Sequence, residues 1–403
     1  MSRSSPRPSS EVAHQELRRE LGLGGAVVTG LGSIVGTGAF VAIGVASGMW
    51  GDLLLWAIPM AAVVAVFNGM SSAFLAGRFP VAGGTYEYGY QALNPWLGFT
   101  AGWLFLLAKT ASAATAALGI ALYLGVGGPL VPILSVVGVT TMVLFGLRRT
   151  AWLNTALVVT SASAIVWFAA SSLSKSDGAV DFMVDMAPGD LAAAIAFLFV
   201  AYTGYGRIAT LGEEVKSPEI IIPRAVIITL AAAAGLYMLV ELGGRAVGGP
   251  TWGAETGIVE AGGTVVAVGA IAAMLGVLLN LILGLSRVWL AMGRRGDMPR
   301  ALARLDGPSQ PVIATILSAS LVAALTLLGD IGLAWSFSAM TVLLYYGITN
   351  LAALAIDARR VTGWLGLVSC VFLSFFVPLG VWLTGAALIL GGLLWKTGYR
   401  RGS

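Results

Sequence analysis

The sequence is poor in charged residues, in cysteine and in histidine. Of its 403 residues, 10% are charged and 58% are hydrophobic, whereas roughly 25% of an average soluble domain is charged. So few charges do not cover the surface of a soluble protein of this size, which excludes a soluble enzyme, a nucleic-acid-binding protein and a disordered chain. Cys370 is the one cysteine, so no intrachain disulfide forms. His14 is the one histidine, so a zinc site built from Cys and His has no ligand set.

The sequence is instead rich in long runs of apolar residues. Runs of about 20 residues have the length of a helix that crosses the hydrocarbon core of a bilayer, so the sequence predicts an all-α polytopic membrane protein. Twelve transmembrane helices are predicted, at residues 22–48, 52–77, 98–125, 127–147, 151–173, 187–208, 222–247, 262–292, 311–329, 332–356, 361–378 and 380–396. The last two runs meet at Pro378. We favour two spans over one irregular element there, because the C-terminus then returns to the side of the N-terminus.

The basic residues indicate an orientation. With the N-terminus in the cytosol, most of the 23 Lys and Arg residues fall in cytosolic segments, in agreement with the positive-inside rule. The external connection around residues 174–190 is instead acidic, with Asp177, Asp181, Asp185 and Asp190. We therefore expect both termini in the cytosol. Residues 1–20 are rich in Ser, Pro and Arg and are expected to form a disordered cytosolic tail.

Two predicted spans contain glycines where a continuous helix is disfavoured. The first span has Gly32, Gly36 and Gly38, and the sixth has Gly204 and Gly206 among aromatic residues; each glycine costs a helix interior about 1 kcal/mol relative to alanine. One interpretation is close helix packing through small residues. The other is a pair of discontinuous helices whose freed N–H groups bind a carboxylate and whose freed carbonyls bind an ammonium or a cation. Paired breaks in two halves of a chain are typical of transporter sites.

Four segments carry a family resemblance: GSIVGTGAF (32–40), FPVAGGTYEYGYQALNPWLGFTAGW (79–103), FVAYTGYGRIATLGEEVKSPEIIIPRA (199–225) and SRVWLAMGRRGDMP (286–299). They are similar to the glycine-rich first helix, the Pro–Gly-Gly–Tyr turn, the aromatic–Gly–aromatic break with its acidic pair, and the end of helix eight in one superfamily. Together they resemble the amino acid–polyamine–organocation (APC) permeases, of the bacterial amino acid transporter type.

The resemblance implies the fold of the bacterial leucine transporters, with a five-plus-five inverted repeat and discontinuous helices 1 and 6. It places the first repeat, spans one to five, at residues 21–173 and the second, spans six to ten, at residues 187–357. Two additional spans and a short cytosolic C-terminus then occupy residues 360–403. It also implies an integral protein of a bacterial cytoplasmic membrane.

The same resemblance implies a substrate site at the two breaks. The α-carboxylate of a substrate would bind the backbone of the first break, and the α-ammonium would bind carbonyls near Ile34 and in the sixth span. Tyr202 and Tyr205 would flank or gate the cavity. The implied binding residues are Ser33, Ile34, Val35, Gly36, Thr37 and Gly38 in the first span and Ala201, Tyr202, Thr203, Gly204 and Tyr205 in the sixth.

Polar side chains within the spans are candidates for ion coupling. Lys109 in the third span either extends its ammonium toward the cytosol or lies against the core, where it replaces a cation or carries a proton. Many proton-coupled members of the superfamily carry a Lys in span five, whereas this span has Thr160 and Ser161. Proton coupling through Lys109, Na⁺ binding by these hydroxyls and ion-free exchange therefore stay open. Glu241 is expected to pair with Arg245, four residues later, with proton transport as the alternative.

Three further residues are gate candidates. Glu213 and Glu214 at the end of span six are either solvated charges or an inner gate, and Trp335 near the start of span ten is a candidate for an outer gate. Asn280 and Asn350, in spans eight and ten, either form interhelical hydrogen bonds or contact the substrate.

These features predict a secondary active transporter, a permease, that moves an amino acid by alternating access. A small or medium neutral amino acid is favoured, because the first break is lined by small apolar residues and neither break contains an acidic residue. An amine, polyamine or cationic amino acid exchanger is the alternative, and a non-transporting sensor or a channel is the alternative from another class. The expected partners are the small-molecule substrate and the lipid bilayer, without nucleic acid; the oligomeric state is not predicted. No catalytic residue, metal or cofactor is expected apart from a coupling H⁺ or Na⁺.

Overall fold

The computed structural model describes residues 21–79, 83–145, 147–174, 187–210, 215–249, 251–253, 257–306 and 310–402. The predicted tail of residues 1–20 and the gate candidates Glu213 and Glu214 lie outside the described residues. The described part of the chain is almost entirely helical, and its β-structure consists of two isolated bridges, Leu21 with Val215 and Asp306 with Gln310.

Fifteen α-helices follow one another along the described chain, and the eleventh is kinked at Gly263, which has a φ of 59°. They are α1 (Leu23–Ile34), α2 (Ile43–Trp50), α3 (Leu54–Arg78), α4 (Thr85–Ala92), α5 (Pro95–Tyr123), α6 (Leu130–Leu144), α7 (Leu147–Leu173), α8 (Pro188–Tyr202), α9 (Gly206–Ala209), α10 (Pro218–Gly248), α11 (Gly257–Arg295), α12 (Val312–Thr326), α13 (Ile331–Ile356), α14 (Val361–Ser374) and α15 (Leu379–Gly402). A π-helical segment, Gly38–Ala42, precedes α2, and 3₁₀ turns occupy Gly51–Leu53, Thr203–Tyr205 and Arg300–Ala303.

The helices agree with a polytopic membrane protein. Within the described residues, eight helical stretches are long and apolar enough to cross a membrane, judged by length and composition. Four shorter apolar helices, α1, α6, α12 and α14, lie within the predicted first, fourth, ninth and eleventh spans. The number of membrane-crossing helices and the inverted repeat stay predictions.

The segment between the second and third spans contains a helix that the sequence analysis interpreted as a turn. Gly83 and Gly84 have φ values of 119° and 56°, in the left-handed region that favours glycine, and α4 begins directly after them. The side chain of Asn94 then accepts hydrogen bonds from the backbone N–H groups of Trp96 and Leu97. With Pro95 as the first residue of α5, this is a strong helix start, which sets α5 three residues earlier than predicted.

The central helix of the bundle is α5. It packs along α11 and α13, while α7 packs along α10 and α11, and α3 along α8 and α10. The face of α5 is rich in small residues that are fully buried, namely Ala101, Ala113, Ala114, Ala116 and Ala117. Small side chains let helix backbones approach closely, so α5 places its one basic residue, Lys109, inside the bundle rather than toward lipid.

Candidate functional site

The first predicted span is interrupted in its middle. Helix α1 ends at Ile34, and Val35 has extended backbone angles (φ −78°, ψ 96°). Helical structure resumes as the π-helical segment Gly38–Ala42, which continues into α2. The predicted break in span one is therefore present, and it covers Val35 and Gly36, since Thr37 already has helical backbone angles (φ −52°, ψ −32°).

The sixth predicted span is interrupted as well, by a tighter turn. Helix α8 ends at Tyr202, the 3₁₀ turn Thr203–Tyr205 follows, and α9 continues to Ala209. The two interruptions touch, because a Cβ atom on Gly204 would overlap the backbone carbonyl of Ser33. Glycine at 204 is thus a requirement of this backbone contact.

Three carbonyls at the breaks face tyrosine hydroxyls of neighbouring helices. The hydroxyl of Tyr237, on α10, lies 2.9 Å from the Ile34 carbonyl oxygen and 2.8 Å from that of Ala201, so one phenol bridges both broken helices. The hydroxyl of Tyr346, on α13, donates to the Thr203 carbonyl at 3.1 Å. Sequence reasoning missed both tyrosines. The one available signal was that a Tyr inside an apolar span needs a partner for its hydroxyl.

A cavity adjoins the breaks. Its volume is about 870 Å³, including the space at its open mouth. It extends from the breaks toward the turn before α4 and toward the end of α11, both predicted to be cytosolic. The cavity is lined by Ser33, Gly83, Gly84, Phe105, Lys109, Thr203, Gly204, Gly206, Arg207, Thr210, Asn280, Leu281, Gly284, Arg287, Val288 and Tyr345.

Three of the implied substrate-binding residues, Ser33, Thr203 and Gly204, line this cavity. The others are buried behind it: Ile34, Val35, Gly36, Thr37, Gly38, Ala201, Tyr202 and Tyr205. The hydroxyl of Tyr202 donates to the Ile58 carbonyl at 3.0 Å, and the Tyr205 ring lies 5.1 Å from that of Tyr346. In this conformation both tyrosines join the helix packing and neither borders the cavity.

Lys109 points into the cavity at the level of the breaks. Its side chain is buried, and its ammonium donates to the hydroxyl of Thr203 at 3.1 Å. This contact joins α5 to the 3₁₀ turn of span six. Of the two positions considered for Lys109, the structure has the one at the core and not the one extended toward the cytosol.

The other coupling candidates lie elsewhere. Thr160 is exposed on the outside of the bundle, and the hydroxyl of Ser161 donates back to the Val158 carbonyl of its own helix. Glu241 accepts from Arg245 at 2.6 Å, which confirms the predicted pairing, and also from the indole of Trp252 at 3.1 Å. None of these side chains lines the described cavity.

The side of the breaks opposite to the cavity is closed by aromatic rings. The Phe197 ring lies 5.5 Å from that of Trp50 and 6.0 Å from that of Trp335. The Trp335 indole also donates to the Phe197 carbonyl at 3.0 Å. Phe197 precedes the break at Thr203 by six residues, or about 9 Å of helix. Trp335, the candidate for an outer gate, therefore packs on the side of the breaks opposite to the cavity, and its gating role stays a prediction.

Two asparagine bridges hold the neighbouring helices. The Asn280 amide donates to the side chain of Asn154 at 2.8 Å and to the Gly32 carbonyl at 3.3 Å, which ties α11 to α7 and α1. The Asn350 amide donates to Asn68 at 2.6 Å. Both predicted candidates thus form interhelical hydrogen bonds, and Asn280 also lines the cavity. Asn154 and Asn68 were not singled out from the sequence.

An ion pair connects α4, which follows the turn at the mouth of the cavity, to the end of α11. Arg295, at the end of α11, pairs with Glu87 on α4. Burial raises the pKa of the Glu87 carboxyl, and the Arg295 charge opposes that rise. Among the described residues, no group of three or more His, Cys, Asp or Glu side chains has the geometry to hold a metal ion.

Comparison with known proteins identifies the family. The family model for amino acid permeases matches residues 25–394. An uncharacterized transporter of Mycobacterium tuberculosis is 40% identical over 394 residues, covering 93% of this chain and 90% of that protein. The branched-chain amino acid permease BcaP of Bacillus subtilis is 26% identical over 348 residues (75% of this chain, 73% of that protein). Cationic amino acid transporter 4 of Mus musculus is 27% identical over 370 residues (82% and 58%). The chain therefore belongs to the amino acid permease family, a family of membrane transporters within the APC superfamily.

Proposed function

We propose that this permease is a secondary active transporter that moves an amino acid through the cavity at the two broken helices. The proposal includes twelve spans, a five-plus-five inverted repeat, cytosolic termini and residence in a bacterial cytoplasmic membrane. The observation that supports it best is the contact between the two breaks at the deep end of the cavity, away from its mouth. Interrupted helices that meet at such a cavity are the typical substrate site of secondary transporters.

Alternating access is supported by the asymmetry of the structure. The cavity extends from Ser33 and Thr203 to Gly83 and Arg287 on the predicted cytosolic side. On the other side, the rings around Phe197 are in contact. A transporter that exposes its site to one side at a time needs this combination of one open and one closed path.

The proposed roles follow from position. Ser33, Thr203 and Gly204 contact the substrate, and the buried residues of both breaks position them. Lys109 is the one coupling candidate that lines the described cavity, which favours H⁺ coupling or exchange over Na⁺ binding by the span-five hydroxyls.

Uptake into proteoliposomes tests this function. The purified chain is assayed with a panel of labelled amino acids, with and without imposed pH and Na⁺ gradients and with and without internal amino acid. Accumulation against a gradient supports ion coupling, and uptake that requires internal amino acid supports exchange. Uptake that follows only the gradient of the permeant would indicate a channel instead, and no binding or uptake of any amino acid would defeat the assignment.

A further inference from the structure

Among the residues that the structure describes, no carboxylate pairs with Lys109. The other deeply buried basic side chains of the helices have carboxylates close by: Arg245 pairs with Asp52 and Glu241, and Lys396 lies 3.9 Å from Asp297. The ammonium of Lys109, by contrast, has a hydroxyl as its partner among the described residues, on Thr203. A buried charge without a counter-charge is costly, so the site favours a ligand that brings a negative charge.

A second cation lies farther along the same cavity. Arg287 follows Asn280 and Gly284 along one face of α11, at the i, i+4 and i+7 positions that line the cavity. Its guanidinium has no ion-pair or hydrogen-bond partner among the residues that the structure describes. Within the described chain, no Asp or Glu lines the cavity. The described wall therefore attracts anions.

Several acceptors for an ammonium already face a donor of the protein. The carbonyls of Ile34 and Ala201 face the hydroxyl of Tyr237, that of Thr203 accepts from Tyr346, and that of Gly32 accepts from Asn280. An amino acid ammonium still finds the hydroxyl of Ser33 at the cavity wall. A second ammonium, as in a cationic substrate, would face Lys109 and Arg287 with no carboxylate described beside them.

We propose that the cavity selects an acidic amino acid, glutamate or aspartate, with one substrate carboxylate bound to the Lys109 ammonium and the other directed toward Arg287. This inference rests on the proposed transport function and specifies its substrate class. It replaces the neutral substrate expected from the sequence, because that expectation considered the apolar residues of the first break, whereas Lys109 and Arg287 come from α5 and α11.

The test compares substrates and side chains in the same proteoliposome assay. The wild-type protein is assayed with labelled glutamate, aspartate, glutamine, leucine and arginine. Lys109→Gln keeps a donor for Thr203 without the charge, and Lys109→Met removes both. Arg304→Gln is the matched control, because Arg304 is basic but highly exposed and does not line the cavity.

We expect glutamate or aspartate to be taken up in preference to the other three amino acids. We expect Lys109→Gln to raise the KM for the acidic substrate by at least about 30-fold, the lower range for removing one partner of a buried charge pair, and to shift preference toward glutamine. Arg287→Gln should give a smaller increase that weakens at high ionic strength, because this side chain is only half-buried.

Two outcomes would overturn the inference while leaving the transport function intact. One is uptake of leucine, glutamine or arginine with neither uptake of nor competition by the acidic amino acids. The other is unchanged glutamate uptake in a folded Lys109→Gln variant. Failure to bind or move any amino acid would instead remove the proposed function itself.

Discussion

At the residue scale, Gly204 shows how one missing side chain permits the contact between the broken helices. We predict that Gly204→Ala abolishes or strongly reduces uptake, since its Cβ would overlap the Ser33 carbonyl, which belongs to the backbone and has little freedom to move. Forcing an extra methyl group into such a packed site costs about 1–3 kcal/mol. An uptake assay measures the loss of transport, and thermal unfolding in detergent measures the loss of stability.

Gly235→Ala is the matched control for this prediction. Gly235 lies within α10 and has nothing within 4 Å of the position that a Cβ would take. Alanine there should preserve uptake and raise stability by up to about 1 kcal/mol, because it is the better helix former. Wild-type uptake and stability in Gly204→Ala would contradict the packing argument.

Tyr237 is the second residue on which the breaks depend. Tyr237→Phe removes the donor shared by the Ile34 and Ala201 carbonyls. A buried acceptor left without a donor costs about 1–3 kcal/mol, so we predict a lower melting temperature and a reduced rate of transport. The measurements are thermal unfolding and initial rates of uptake over a range of substrate concentrations.

Tyr88→Phe provides the comparison. Tyr88 is equally buried, on α4, but its hydroxyl has no hydrogen-bond partner among the described residues. Its removal should leave stability unchanged or slightly higher. If Tyr237→Phe and Tyr88→Phe behaved alike, the bridge between the two breaks would have no energetic role.

At the scale of elements, α15 is attached to α4 and to the turn that follows α11 through one buried polar cluster. Lys396 lies 3.9 Å from Asp297 and donates to the Tyr90 hydroxyl at 2.9 Å. Tyr86 and Tyr90 both donate to the carboxylate of Asp297. Because Tyr86 and Tyr90 belong to α4, which follows the turn at the cavity mouth, this cluster fixes the mouth to the last helix.

We predict that Lys396→Met destabilises the protein by about 3–5 kcal/mol, as expected when one partner of a buried ion pair is removed. The double variant Lys396→Met/Asp297→Asn should recover part of this loss, because the buried group that faced Lys396 is then neutral. Thermal unfolding of the two single variants and the double variant gives the coupling energy.

The exposed pair Arg304–Asp306 serves as the reference for this cycle. Its side chains are 71% and 38% exposed, and a surface ion pair contributes about 0–1 kcal/mol. Equal losses from Lys396→Met and Arg304→Gln would show that the cluster does not hold α15 in place.

The sequence predicted those features that depend on residues close together in the chain. Closely spaced glycines indicated both breaks, and the spacing of Glu241 and Arg245 on one helix face indicated their ion pair. It did not predict the Tyr237 bridge or the Asn154–Asn280 pair, because their partners are distant along the chain and become neighbours only through helix packing. Helix α4 was missed because its apolar pattern is short and is preceded by two turn-forming glycines.

At the scale of the whole molecule, the described cavity lies on one side of the breaks, and the rings around Phe197 pack together on the other, closed side. We predict that Trp335→Ala shifts the population toward opening on the closed side, because it removes the ring contact with Phe197 and the hydrogen bond to its carbonyl. An aromatic contact contributes about 0.5–1.5 kcal/mol, which corresponds to a change of a few-fold in the equilibrium constant between the two conformations.

Labelling of Ser33→Cys measures this shift. The variant is made in a Cys370→Ser background, so that the native buried thiol does not react. A membrane-impermeant thiol reagent should label residue 33 mainly from the predicted cytosolic side, and labelling from the other side should increase with Trp335→Ala. Labelling that is equal from both sides before the Trp335 change would contradict the closed path.

The backbone contact between Gly204 and Ser33 has a mechanical consequence. No flexible layer of side chains separates the two interrupted helices at their crossing. We therefore expect that a tilt of the interrupted helix of span one is accompanied by a tilt of the interrupted helix of span six, so that the two move together rather than one after the other.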